Sequence, residues 1–259
     1  MKFRPCIDIH NGKVKQIVGS SLRDEGDFAK ENFTACQDAA WYARFYQEKG
    51  IRGGHVILLN KEGSPYFEET KRQGMLALSA YPGGLQIGGG ICRENAAQYL
   101  EAGASHVIVT SYVFQDGRIH YEHLEELFKE VGREHLVLDL SCRKKDGQYY
   151  IVTDRWQKYT DVVLNEKNMN FFADYCSEFL IHAVDVEGKA DGVETELVKF
   201  LGNFAKIPVT YAGGVHNYQD LQILKKEGHS RIDVTIGSAL DLFGGSMELD
   251  RILKEISAC

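Results

Sequence analysis

Two segments of this chain are written to one plan. Residues 88–111 (GGGICRENAAQYLEAGASHVIVTS) and 212–238 (AGGVHNYQDLQILKKEGHSRIDVTIGS) each pass from a glycine pair through a helical stretch into a short β-branched run. Gly89-Gly90 corresponds to Gly213-Gly214 at an offset of about 124 residues, and Thr110-Ser111 to Gly237-Ser238 at about 127. Cys6-Ile7-Asp8-Ile9 returns as Val137-Leu138-Asp139-Leu140 about 131 residues on. An internal repeat of this kind constrains the fold to two equal halves that close on each other.

Within that frame, eight short apolar runs read as strands, at 3–9, 55–59, 85–87, 106–110, 136–140, 179–184, 209–211 and 233–236. Their shortness and continuous hydrophobicity suit strands covered on both faces, as in a parallel sheet. Between and after them lie amphipathic segments at 35–48, 68–80, 94–101, 122–131, 169–177, 194–204, 218–227 and 247–256. Trp41, inside the first of these, reads as a core residue. An open doubly wound sheet would alternate in the same way, but four strands per half with matching special positions favour a closed barrel. The expectation is an α/β protein: one (β/α)8 TIM barrel with a pseudo-twofold half-barrel repeat, residues 1–259 forming a single domain. Such barrels commonly use about 250 residues. The stretches 18–33 and 141–167 are expected to be long loops over the C-terminal face, the second with a hairpin turn at Asp146-Gly147.

With 30 Lys and Arg against 37 Asp and Glu, the net charge is −7, and there is no basic run, which argues against nucleic acid as a partner. Any anionic ligand must then be held by local backbone amides and helix N-termini, not by the global field. No apolar stretch is long enough to span a membrane. The six cysteines are scattered without a CxxC pair, as expected of reduced thiols in a cytoplasmic protein. No metal site is expected, because no Cys/His cluster has ligand spacing. A monomer is expected.

Asp8 interrupts an apolar strand just before His10-Asn11-Gly12, and Asp139 holds the equivalent place in the second half. Carboxylates at the C-terminal ends of barrel strands face the mouth, where catalytic groups of this fold gather. Two of them in different surroundings can divide acid and base roles. Asp185, ending the sixth strand, reads as a substrate-binding residue or a partner of Lys189. The pairs Gly89-Gly90 and Gly213-Gly214 each precede a helix, and glycine there lets backbone amides approach an anion closely. Thr110, Ser111, Gly237 and Ser238 add hydroxyls and further amides. Two such cradles across one mouth imply a long ligand with a phosphate at each end. Trp156, in a polar loop, is placed to stack on a flat heterocycle. His55 and His182 read as satisfied core or rim residues.

Together PCIDIHNGKVKQIVG, IGGGI, the aspartate in LVLDLS, YAGGV and TIGSAL resemble the phosphoribosylformimino-5-aminoimidazole carboxamide ribotide isomerase family of histidine biosynthesis, in its eukaryotic-type branch. The resemblance covers essentially the whole chain. It implies a cofactor-free Amadori rearrangement of an aminoaldose (ProFAR) to an aminoketose (PRFAR), with Asp8 as general base and Asp139 as general acid. It also implies that the glycine, Ser and Thr positions bind the two phosphates and that Trp156 stacks on the imidazole. The chain departs from the common family pattern at Val184-Asp185, at Ile57-Leu58-Leu59-Asn60 and at Arg93. Two alternatives remain open: the related cyclase subunit of imidazole glycerol phosphate synthase, which needs ammonia, and a phosphosugar-binding barrel without catalysis.

Overall fold

The computed structural model describes residues 1–18, 21–23, 25–154, 156–187 and 192–257. Eight barrel strands appear in chain order: β1 (Cys6–His10), β2 (Gly54–Leu58), β3 (Leu85–Gly88) and β4 (His106–Val109). The second half follows with β5 (Leu136–Asp139), β6 (Glu178–His182), β7 (Val209–Ala212) and β8 (Ile232–Thr235). Each pairs in parallel with the next. The ring closes where Phe3 bridges Val234: Arg4 N donates to the Val234 carbonyl (2.8 Å) and Val234 N to that of Lys2 (2.9 Å). The fold is the (β/α)8 barrel that the repeat predicts.

The helices are α1 (Ala39–Glu48), α2 (Phe67–Ala80), α3 (Arg93–Glu101) and α4 (Tyr121–Val131), then α5 (Glu166–Phe172), α6 (Thr195–Asn203), α7 (Tyr218–Glu227) and α8 (Leu249–Ser257). Caps set their starts. Asp38 accepts from Trp41 N (2.8 Å), so α1 begins at Ala39 and not at the expected residue 35. Asn165 accepts from Asn168 N (2.9 Å), which starts α5 three residues before the expected 169–177 span. Trp41 corrects another expectation: it is 37% exposed on the outer side of α1, stacked on Phe45 at 5.4 Å.

Period-two alternation sorts the strand residues into two cores. Ile7, Ile9, Val56, Ile87, Val107, Leu138 and Phe179 face outward and join the large cluster beneath the helices. Ile108, Val137, Leu180 and Ala212, with Ile57 packed on them, form a separate apolar cluster inside the ring. Towards the N-terminal end of the strands lies a polar floor. Glu178 accepts from Thr210 Oγ1 (2.8 Å) and Gln86 Nε2 (3.2 Å) and pairs with Arg4 (3.4 Å), which also binds Asp233 (2.9 Å). The apolar layer separates this floor from the mouth, so charges at the two ends are partitioned.

Of the two expected long loops, 141–167 is largely β-structure, whereas 18–33 forms a strand only at its C-terminal end among the described residues. After β1, strands Lys13–Ile17 and Glu31–Thr34 pair antiparallel and extend the sheet. After β5, strands Cys142–Lys145, Gln148–Thr153 and Lys158–Val163 form a sheet of their own. A positive-φ turn leads into the first hairpin at Asn11-Gly12 (52° and 71°), and another closes the Cys142–Lys145/Gln148–Thr153 hairpin at Asp146-Gly147 (50° and 78°). No described helix is long and apolar enough to cross a membrane.

Candidate active site

One cavity of about 1250 Å³ opens at the C-terminal ends of the barrel strands. It is lined by Asp8 and Asp139, by Gly89, Gly90, Thr110 and Ser111 from the first half, and by Gly213, Gly214, Gly237 and Ser238 from the second. Trp156 also lines it. The structure thus gathers all but one of the residues singled out from the sequence. The exception is Asp185, which accepts from Arg143 Nε (2.9 Å) and Lys144 N (2.9 Å) at the base of the second hairpin and is not among the described lining residues. The hairpin, which sequence reading treated as a loop, offers it these donors. Lys189, its other expected partner, lies outside the described residues.

The two glycine cradles are made by close backbone approach. Gly89 sits at φ +101°, where a Cβ would stand 2.1 Å from the Leu58 carbonyl oxygen. Gly214 sits at φ +76°, where a Cβ would stand 2.0 Å from that of Gly192. Side chains brace the loops. Asn95 accepts from Cys92 N (2.9 Å) and donates to the Gly90 carbonyl (3.0 Å), while Asp220 accepts from His216 N (3.0 Å) at the start of α7.

Four unforeseen side chains surround the aspartates. Gln16, on the first hairpin, donates to Asp8 Oδ2 at 3.4 Å and lies 3.5 Å from Cys6 Sγ. Ser141 donates to Asp139 Oδ1 from its hydroxyl (2.7 Å) and its backbone N–H (2.9 Å). His182, at the end of β6, brings Nδ1 to 3.4 Å from Asp139 Oδ1 and 3.2 Å from Ser141 Oγ. Glu187 lines the cavity beside the second glycine cradle. The rule that exposes Asp8 and Asp139, a polar residue at the C-terminal end of a barrel strand, also selects His182. Its contacts with Asp139 and Ser141 agree with the reading of a satisfied core or rim residue, and add its place beside Asp139.

The electrostatics of the mouth are uneven. Burial pushes the Asp8 carboxyl up to about 7, the Glu187 charge adds to the rise, and His182 and Gln16 oppose it. Burial also acts to raise Asp139, but the His182 charge and the hydrogen bonds from His182 and Ser141 outweigh it, and the net shift is downward. Burial acts to lower His182, yet Asp139, Glu187 and Asp8 together carry it up to about 9. His55, whose ring is 6.3 Å from that of His182, is driven down to about 3 by burial and by the His182 charge. Burial raises Glu187, with His182 acting against the rise. At neutral pH the mouth holds a cationic His182, an anionic Asp139, a neutral His55 and an Asp8 balanced between its two forms.

Trp156 lies over His182 with ring centroids 5.6 Å apart and planes inclined at 45°. Its φ is +68°, an uncommon conformation for a bulky residue. Asp154 N, two residues before it, donates to Ser111 Oγ (3.4 Å) and ties this hairpin to the first glycine cradle.

Cys6, Asp8 and His55 bring their donor atoms within 4.8 Å of one another. An ion there would displace protons from two of the three ligands. Burial drives the Cys6 thiol well up, and Asp8 is itself raised. This proton affinity suits the cluster better to acid–base work than to metal ligation.

The sequence profile described as "Histidine biosynthesis protein" matches residues 2–247. This chain belongs to that family. Among its relatives is a chloroplastic 1-(5-phosphoribosyl)-5-((5-phosphoribosylamino)methylideneamino)imidazole-4-carboxamide isomerase of Medicago truncatula, 55% identical over 251 residues. The match covers 95% of this chain and 79% of the relative. Isomerases bearing the same chemical name in Yarrowia lipolytica and Neurospora crassa are 44% and 42% identical, each match covering 94% of this chain and 93% of the relative. Family membership agrees with the eukaryotic-type resemblance carried by the sequence motifs.

Proposed function

We propose that this chain is an intramolecular oxidoreductase of histidine biosynthesis. It converts ProFAR to PRFAR, the aldose–ketose isomerisation for which its relatives are named. The observation that carries the reading is the pairing of two carboxylates, Asp8 and Asp139, in one cavity flanked by duplicated glycine cradles. A ligand with a phosphate in each cradle lies across the mouth with its amino-sugar carbons over the aspartates. Asp139, as general acid, protonates the ring oxygen, and the sugar ring opens to a Schiff base. Asp8 removes the proton on C2, and the resulting enolamine becomes the ketone. A base with its proton affinity near 7 is matched to this task, and each acid–base group contributes roughly 10²–10⁴-fold. The grip on both phosphates supplies orientation, and Trp156 stacks on the imidazole.

One barrel domain spanning the chain carries the activity, as a monomer; light scattering on the purified protein tests the latter. The Medicago relative is named as chloroplastic, which sets a plastid beside the cytoplasm as the compartment to test by fractionation.

The deciding assay mixes the purified protein with the aminoaldose and follows the absorbance change as the ketose forms. Turnover is expected without glutamine, ammonia or a partner subunit. Conversion of PRFAR that depends on ammonia would indicate the cyclase reaction instead. Tight binding with no absorbance change would indicate a binding protein.

A further inference from the structure

A base that takes a proton from carbon must be aimed, since a misplacement of about 1 Å can cost roughly 10²-fold. The side chain that donates to Asp8 comes from outside the barrel ring. Gln16 lies on the strand Lys13–Ile17 and is buried. Its Nε2 stands 3.4 Å from Asp8 Oδ2 and 3.5 Å from Cys6 Sγ. Its Oε1 lies against the second glycine cradle, where a Cβ on Gly237 would stand 2.4 Å from it. One amide therefore touches the base with its nitrogen and the cradle with its oxygen. The contact with Asp8 is long for an N–H···O bond and comes from a neutral donor. It orients the carboxylate without stabilising the anion strongly, so Asp8 stays basic.

The strand that carries Gln16 is pinned at its first turn. Asn60, buried just beyond the end of β2, uses both halves of its amide there. Its Oδ1 accepts from Asn11 N (2.7 Å) and Thr70 Oγ1 (2.8 Å). Its Nδ2 donates to Asn11 Oδ1 (2.8 Å) and Asp27 Oδ1 (3.1 Å). Thr70 Oγ1 accepts in turn from Gly12 N (3.0 Å). Both turn residues of the hairpin are thus tied to the segment after β2 and to α2, and Asp27 joins from the far side of the insertion. Only a side-chain amide is at once a double acceptor and a double donor at this length.

We propose that Gln16 is a positioning residue for Asp8, and that Asn60 pins the hairpin that presents it. This deepens the proposed function and rests on it. Gln16 holds Oδ2 of the base, and Oδ1 is turned to the proton on C2. The same amide leans on Gly237, so the grip on one phosphate and the aim of the base share a side chain. Gln16 transfers no proton, and Asp8 and Asp139 keep the base and acid roles. The other titratable groups facing Asp8 are Glu187, His182 and Cys6, and none of them belongs to the hairpin.

Three measurements test the arrangement. In the unmodified protein, the NMR signals of the Gln16 side-chain amide should shift as Asp8 titrates near 7. Signals that stay fixed through that titration overturn the contact without any substitution. Gln16→Leu keeps a buried side chain of similar size and removes the donor. It should lower kcat roughly 10²-fold with KM changed by only a few fold, and Asp8 should titrate higher than in the original. A near-normal rate, or an unmoved Asp8, removes Gln16 as its positioning residue. Asn60→Asp sets a carboxylate against Asp27 and should lower kcat roughly tenfold. Adding Asp27→Asn returns a donor to that pair and should restore most of the loss. No loss in the single variant, or no recovery in the double, overturns the pin at Asn60. Failure of the original protein to convert the aminoaldose would refute the functional assignment, while the NMR titrations need no substrate and still decide the contact.

Discussion

Asp8 and Asp139 occupy equivalent points of the two half-barrels, yet one is raised to about 7 and the other lowered. Position does not separate them, since each ends or nearly ends its strand and opens into the same cavity. Their neighbours do. Asp139 has a serine two residues on and a cationic histidine on the adjoining strand, while Asp8 has one amide at 3.4 Å and the field of Glu187. A repeated backbone supplied two carboxylates, and unrepeated side chains gave them different proton affinities. This is how one scaffold can run acid and base steps in a single chamber.

The largest expected effect comes from removing the base. Asp8→Asn should lower kcat by roughly 10²–10⁴-fold while leaving KM within a few fold, measured by the absorbance assay. A near-normal rate would show that the raised carboxyl is not the base, and the contrast would lose its catalytic meaning. Asp139→Asn should also slow turnover by roughly 10²–10⁴-fold, and it should do something Asp8→Asn does not. Without the partner that contributes most to holding its proton, His182 should titrate below 9, as read from its imidazole NMR signals. An unmoved His182 titration would uncouple the two residues.

Stability should sort the same two variants by sign. Asp8 has a folded proton affinity above its unfolded value. The native state therefore binds more protons between about 4 and 7, and stability falls as pH rises through that window. Asp8→Asn should raise Tm at pH 8, with the gap closing as pH falls towards 4. Asp139 has the opposite shift, so its contribution is present above its unfolded value and lost as pH falls through the lowered one. Asp139→Asn should lower Tm at pH 8. Melting curves that move in the same direction would break the comparison. The smallest effect is expected from Glu187→Gln. Removing that charge lowers Asp8, so its carboxyl should titrate below 7, as read by NMR of the side chain.

The sequence made the two aspartates and the glycine cradles legible because they repeat, and repetition separates a special position from background. The eight strands were legible because each is short, apolar and followed by a turn. Gln16, Ser141, His182 and Glu187 were not legible in the same way. Gln16 acts from a hairpin that the sequence presents partly as loop, and Glu187 reaches the mouth from an irregular segment after β6. His182 gains its character only from carboxyl groups on β1, β5 and its own following segment. Asp185 illustrates the converse: its place at a strand end suggested a ligand contact, while the tertiary fold gives it to Arg143.

The seam between Phe3 and Val234 has a consequence for how the chain is made. Lys2 N donates to Asp233 Oδ1, a contact that spans 231 residues, so the barrel cannot close until both segments are available. Until residue 234 emerges, the nascent sheet has two unsealed margins, each able to pair with another molecule. Stalling or truncation shortly before that point removes β8 and leaves β7 and the Phe3 segment without the partner that joins them. Late translation arrest should therefore yield oligomers in preference to soluble fragments.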